Sequence, residues 1–230
     1  MARRMCIHLA ILACIVLSVD AYVLPPASLS PAPYAPWAHS HWVWLSSGGG
    51  RSNQTSVVQF AKEFLMRNIS VGAVDVDSGW ATGFNNFVPD TTKFPDMGGM
   101  IDELHAMDIK VIFWATSMVD TNSPNYEYGL NHSYYIKNAL KEDSTLHWWH
   151  GNGQLLDYTN PDAVAWWHAQ MDNMLELGVD GWKTDGTGPF IMEYIIPQAS
   201  TGPISFREYE DLYYGDFFNY TREKNGEHCL

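Results

Sequence analysis

Short β-prone runs alternate with amphipathic helical stripes along this chain, and that alternation restricts the fold more than any single motif. Residues 41–45 form an aromatic, β-prone run that stops at a Ser/Gly-rich stretch over 46–50. Residues 54–68 carry Val57, Phe60, Ala61, Phe64 and Leu65 on one helical face. The apolar run 71–76 reads as a strand buried on both faces. A second helical stripe over 98–107 uses Met100, Ile101 and Leu104, and residues 110–115 are a third strand. Residues 116–158 read as long and irregular. Asn160 then caps a helix with Pro161 at its first position, and Gly178 ends it. Residues 179–183 are a fourth strand. A last helix starts at Ser205, where Ser205 and Glu208 predict a capping box. Strands alternating with helices imply a parallel sheet with right-handed crossovers. No Gly-rich phosphate fingerprint follows the first strand. Acidic residues instead follow strands two and four, at Asp77 and Asp185, where a barrel enzyme keeps its chemistry. The expected fold is α/β: the first four βα units, roughly, of a (β/α)8 TIM barrel with parallel strands.

The chemistry concentrates in residues 178–188, GVDGWKTDGTG. Lys183 and Asp185 are two apart, so on a strand they share a face. Glycines on both sides let a ligand approach the backbone. Asp185 reads either as a nucleophile for an anomeric carbon or as a turn residue before Gly186. Lys183 reads as a contact to sugar hydroxyls or as a salt-bridge partner that orients Asp185. Asp75 and Asp77 alternate at the end of strand two. They could hold a metal, clamp two sugar hydroxyls, or cap the following loop. The pair His39 and His41 precedes its strand rather than ending it, so no metal site is assigned there.

The net charge of −13 argues against nucleic acid and anionic membrane surfaces as partners. Ten Trp are many for 230 residues; they suit a core, and they also suit a cleft that binds sugars. Arg3 and Arg4 precede an apolar run over 5–19, with small residues near Ala21. Residues 1–21 therefore read as a secretory signal peptide rather than a membrane span, with a signal anchor as the alternative, and residues 22–36 as a Pro-rich linker. After cleavage only Cys229 remains, so no internal disulfide forms. Sequons at Asn53, Asn68, Asn131 and Asn219 fit a secreted or lumenal glycoprotein.

Five further segments occur in an order that resembles glycoside hydrolase family 31, the α-glucosidase and α-xylosidase barrels. They are Asp77-Ser-Gly-Trp80, Phe94-Pro95-Asp96 with the Met100–His105 segment, Val111-Ile112-Phe113-Trp114, Asp157-Tyr158-Thr159-Asn160-Pro161, and Gly181-Trp182-Lys183-Thr184-Asp185. The resemblance covers residues 37–230 and implies a retaining α-glycosidase acting on O-glycosyl bonds of a carbohydrate substrate. It implies Asp185 as nucleophile, Lys183 and Asp77 as sugar contacts, Trp114 and Trp149 as apolar walls, and Asp75 and Trp80 in the same cleft. It implies no metal and no organic cofactor. It also places the general acid/base on a later strand, so the chain is expected to be truncated and to lack that residue. Gly188 stands where the family often has Glu. The strand-four motif alone also fits an α-galactosidase-type barrel, and a catalytically inactive sugar-binding or regulatory fragment is the non-enzymatic alternative.

Overall fold

The computed structural model describes residues 35–45 and 52–229. The expected signal peptide and most of the expected linker lie outside them. Four parallel strands form the main sheet: β1 (Trp42–Leu45), β2 (Ala73–Val76), β3 (Lys110–Ala115) and β7 (Gly181–Thr184), in the order β1-β2-β3-β7. Helices α1 (Gln54–Met66), α2 (Met97–His105) and α4 (Pro161–Leu175) join them, and α5 (Phe206–Asn225) follows. Right-handed crossover packing puts such helices on one side of the sheet. The strands accordingly turn Val43, Val74, Val76, Val111, Phe113 and Trp182 into one core, together with Val57 and Ala61 of α1, Met100 and Leu104 of α2, Trp167 and Met171 of α4, and Phe217 of α5.

The parallel register pairs Trp44 with Asp75, Asp75 with Ile112, and Trp114 with Lys183. Registered residues share a face, so these side chains line the opposite, concave face. One sheet thus separates an apolar side, sealed by helices, from a side that carries charge and indole rings.

Helix ends follow local chemistry. Asn53 caps α1 in a reciprocal box with Ser56, a feature the sequence reading missed. Asn160 caps α4 through Asp162 N and Ala163 N, with Pro161 in the first turn. Ser205 accepts from Glu208 N at α5, which is half of the expected box. Gly178 ends the α4 turn at φ 91°, a conformation that favours glycine.

Residues 116–158 are not irregular. They build an antiparallel sheet from β4 (Met118–Asp120), β5 (Leu146–Trp148) and β6 (Gly151–Leu155), in the order β4-β6-β5, with the short helix α3 (Tyr126–Asn131) between β4 and β5. A 3-10 helix (Gly188–Tyr194) and the small hairpin β8 (Gln198–Ala199)–β9 (Gly202–Pro203) separate β7 from α5.

At the N-terminal end of the main sheet, buried Asp180 ties three elements together. Its carboxylate accepts from Val111 N at 2.9 Å, meets His105 Nε2 at 2.6 Å and pairs with Lys110 Nζ at 2.9 Å. Asp180→Ala leaves the buried Val111 N–H, the Lys110 ammonium and the His105 imidazole without their acceptor. The expected cost is roughly 2–4 kcal/mol, read as a fall in the urea midpoint.

Candidate active site

The C-terminal ends of β2 and β7 bring Asp77, Lys183 and Asp185 to the concave face. Asp77 is buried, and its carboxylate accepts from Lys183 Nζ at 2.8 Å, from Ser78 N at 2.6 Å and from the Trp44 indole N–H. Burial raises its pKa, but these donors and the Lys183 charge outweigh burial and hold it below the usual carboxylate range. Burial likewise works against the Lys183 ammonium, and the bond to Asp77 with the charges of Asp75, Asp77 and Asp185 more than restores it. Lys183 also lies 4.8 Å over the Trp44 ring. The salt bridge therefore joins Lys183 to Asp77, not to Asp185.

Asp185 is held by neutral donors. One oxygen accepts from Trp114 Nε1 at 2.8 Å and the other from Gly186 N at 2.8 Å. Its own backbone N–H donates to Ala115 O at 2.9 Å, and its carbonyl accepts from the Tyr213 hydroxyl at 3.0 Å. The carboxylate is fixed in direction while its charge is left uncompensated by a direct ion pair, which suits a group that attacks a carbon gaining positive charge. A Cβ placed on Gly188 would fall 2.7 Å from Glu210 Cγ and Oε1. The space that a longer side chain at 188 would use is already filled by Glu210 of α5.

Asp75 lies on the same face, one pleat below Asp77, and is 8% exposed. One of its oxygens is buried without a hydrogen-bond partner. Burial pushes its pKa up to about 7; Lys183 lowers it, and Asp77 and Asp185 add to the rise. Asp75 is thus a proton-holding group under the salt bridge rather than a second free carboxylate. The folded chain holds this proton between the ordinary carboxylate pKa and about pH 7, whereas the unfolded chain has released it. Asp75 therefore makes stability fall as pH rises through that window and contributes no further change above it. Asp75→Asn is expected to flatten the fall between pH 4.5 and 7.5, an effect on the order of a few kcal/mol, measured by urea unfolding at both pH values.

The aromatic assignments need revision. Trp80 is 2% exposed, packs on Phe87 and Phe113, and donates its indole N–H to Trp114 O at 2.8 Å. It is a core residue and not a wall of the cleft, because its indole N–H and its ring contacts are spent on the interior. Trp114 is also buried and meets the site through its N–H on Asp185. Trp149 is half exposed at the rim, with its ring 5.7 Å from Phe190. Two residues that the sequence reading did not assign to the cleft stand closer. Trp44 bonds Asp77 and is 54% exposed. His150 stacks on Phe84 at 3.8 Å and meets the Trp114 ring edge-on at 5.9 Å. Removal from water lowers the His150 pKa despite the pull of Asp120, Asp77 and Asp185, so its imidazole is neutral at pH 7. The available signal for Trp44 was its period-2 spacing from Trp42; for His150 it was the aromatic cluster over 147–150.

His41 Nδ1 lies 2.9 Å from Ser70 O, a structural contact. Among the described residues no group of three His, Cys, Asp or Glu is placed to hold a metal. No helix of the described residues is long and apolar enough to cross a membrane. Asn68, Asn131 and Asn219 are exposed, whereas Asn53 is half-buried and engaged as a cap.

A sequence profile described as the glycosyl hydrolases family 31 TIM-barrel domain matches residues 31–224. The chain belongs to glycosyl hydrolase family 31. An α-xylosidase of Emericella nidulans is 27% identical over 80% of this chain and 24% of its own length. The myogenesis-regulating glycosidase of Mus musculus is 24% identical over 63% of this chain and 20% of its own. The chain thus spans about a quarter or less of these curated relatives. Solved family 31 structures agree in fold. A soil-metagenome α-xylosidase complexed with xylose has a TM-score of 0.69 at 22% identity, covering 79% of this chain and 27% of that one. A Flavobacterium johnsoniae dextranase complexed with glucose has a TM-score of 0.69 at 21% identity, covering 82% and 24%. Membership in family 31 decides between the two barrel families that the strand-four motif left open. The four parallel strands are correspondingly part of a family 31 barrel.

Proposed function

We propose that this chain supplies the nucleophile side of a retaining α-glycosidase site that takes an α-xyloside or α-glucoside. The observation that carries the reading is the division of labour on the concave face. Lys183 pairs with Asp77, while Asp185 is oriented by two neutral N–H donors and has no ion-pair partner among the described residues. An Asp185 oxygen attacks the anomeric carbon as the bond to the leaving group breaks, and the leaving group departs with the electron pair. The product is a glycosyl ester on Asp185. Lys183, Asp77 and the Trp44 indole border the sugar hydroxyls, and the half-exposed Trp149 flanks the entrance. A retaining site needs a second carboxyl about 5–5.5 Å from the nucleophile, to protonate the leaving oxygen. We assign that role to a residue outside 35–45 and 52–229. Residues 1–21 direct the chain to the secretory lumen, where the exposed sequons accept glycans.

A fluoride leaving group needs no proton, so it separates the nucleophile from the missing acid. The 230-residue chain mixed with α-xylosyl or α-glucosyl fluoride is expected to release a burst of about one fluoride per chain. Methyl α-glycosides, whose leaving group must be protonated, are expected to remain intact. A burst with α-galactosyl fluoride alone would reassign the sugar. Steady hydrolysis of methyl α-glycosides would show that the acid is present in this chain.

A further inference from the structure

A second cavity, of about 530 Å3, lies outside the Asp185 site, between the segment after α3, the N-terminus of α4 and the β8–β9 hairpin. Ser133, Lys137, Lys141, Asn160, Ser200 and Thr201 are among its lining residues. Its size is that of a pocket for a small molecule, and its lining is mostly polar. The chain carries −13 overall, yet two lysines face this cavity. Lys62, Lys93, Lys110, Lys137, Lys183 and Lys224 each meet a carboxylate, whereas Lys141 has none in ion-pair range among the described residues. The Lys137 pair, to Asp143, is long at 3.8 Å.

The one carboxylate of the lining has its hydrogen bonds filled by neutral donors and makes no ion pair with these lysines. Asp157 is buried, with one oxygen accepting from Thr159 N at 2.9 Å and Thr159 Oγ1 at 2.6 Å and the other from Ser200 N at 2.6 Å. Asn160 spends its side-chain oxygen on capping α4, which leaves its NH2 as a donor. The Thr201 hydroxyl borders the same space. The two ammonium groups, the Asn160 NH2 and the Thr201 hydroxyl offer donors to an acceptor-rich ligand, and two ammonium groups against the single Asp157 carboxylate of the lining favour a negative one. The lining is polar, with Tyr135 as its single aromatic residue, and the Tyr135 hydroxyl is already committed to Tyr126 O at 3.1 Å. Stacking therefore contributes little, and charge with hydroxyl contacts dominates.

We propose that this cavity is an accessory site for an oxyanion, either free or carried as the carboxylate of an acidic sugar. Lys141 and Lys137 contact the anion, and the Asn160 NH2 and the Thr201 hydroxyl contact the oxygens beside it, whereas the Ser200 hydroxyl is already bonded to Thr159 Oγ1 at 2.8 Å. The site is independent of Asp185 and stands whether or not the glycosidase reading does.

Inorganic sulfate, D-glucuronate and D-glucose are the probes, titrated into the full chain at low salt and followed by backbone amide shifts. Sulfate and glucuronate are expected to move the amides of Lys141, Ser200, Thr201 and Gly202, with affinity falling as salt rises. Glucose is expected to leave them in place. Tighter binding of glucuronate than of sulfate assigns the site to an acidic sugar, and equal binding assigns it to the free oxyanion. Lys137→Met/Lys141→Met should weaken both anions at least about tenfold, whereas Asp185→Asn should change neither. Absence of shifts at these amides, or unchanged affinity in the folded double variant, overturns the proposal.

Discussion

Asp185→Asn is expected to erase the fluoride burst, a loss on the order of 10,000-fold or more in glycosyl transfer to the protein, as when a nucleophile is removed elsewhere. The substitution keeps the shape of the side chain, and its amide oxygen still accepts from one of the Trp114 and Gly186 N–H groups. Its carbonyl bond from Tyr213 is a backbone contact and survives. The thermal midpoint should therefore stay within a few degrees of the parent. A chain that keeps its fold and loses its burst separates chemistry from stability. A burst that persists in Asp185→Asn would place the nucleophile elsewhere.

The second large effect concerns folding. Phe87 sits in the long segment between β2 and α2, yet it is 0% exposed. Its ring packs at 4.9 Å from Trp167, 5.4 Å from Trp182, 6.4 Å from Trp80 and 6.3 Å from Phe217. A residue of this loop thus joins β7, α4 and α5 in one aromatic cluster. Phe87→Ala is expected to cost about 3–5 kcal/mol, because four surrounding rings cannot collapse into the vacated space without leaving their own contacts. The urea midpoint should fall accordingly, with little change in the slope of the transition. A loss below about 1 kcal/mol would mean that the segment does not hold this position in solution.

The parallel sheet was legible because its cues are local. Helical stripes at Val57–Ala61 and Met100–Leu104 carry the 3.6 period, and Asn160-Pro161 and Gly178 mark where α4 starts and stops. The antiparallel sheet over 116–158 was not legible. Its strands are short, and β6 reads GNGQL, with no alternation of apolar and polar residues. Its pairing is fixed by partners far along the chain, such as Trp148 Nε1 on Asp120 at 3.1 Å. The Gly188–Tyr194 segment was missed for the same reason, since a 3-10 helix has no strong periodic signature.

At the site, motif order put Asp77, Lys183 and Asp185 on one list, and the strand ends did bring them together. What the sequence could not supply was who bonds whom. Lys183 and Asp77 are 106 residues apart, whereas Lys183 and Asp185 are two apart, so local spacing offered Asp185 as the alternative salt-bridge partner and could not point to Asp77. Trp80 was misplaced because an aromatic after a strand-two carboxylate reads equally as a cleft wall and as a core plug. Burial decides between them, and burial is a tertiary property. Trp44 was overlooked because its partner, Asp77, lies on the next strand.

The most direct test of the account is covalent. The chain is treated with a 5-fluoro-α-glycosyl fluoride of the xylo or gluco series, and its mass is then measured intact and by peptide. The expected result is one added fluorosugar on the peptide that contains Asp185, absent from Asp185→Asn. A label on another residue, or an unlabelled chain that still binds the sugar, would contradict the assignment of Asp185 as nucleophile.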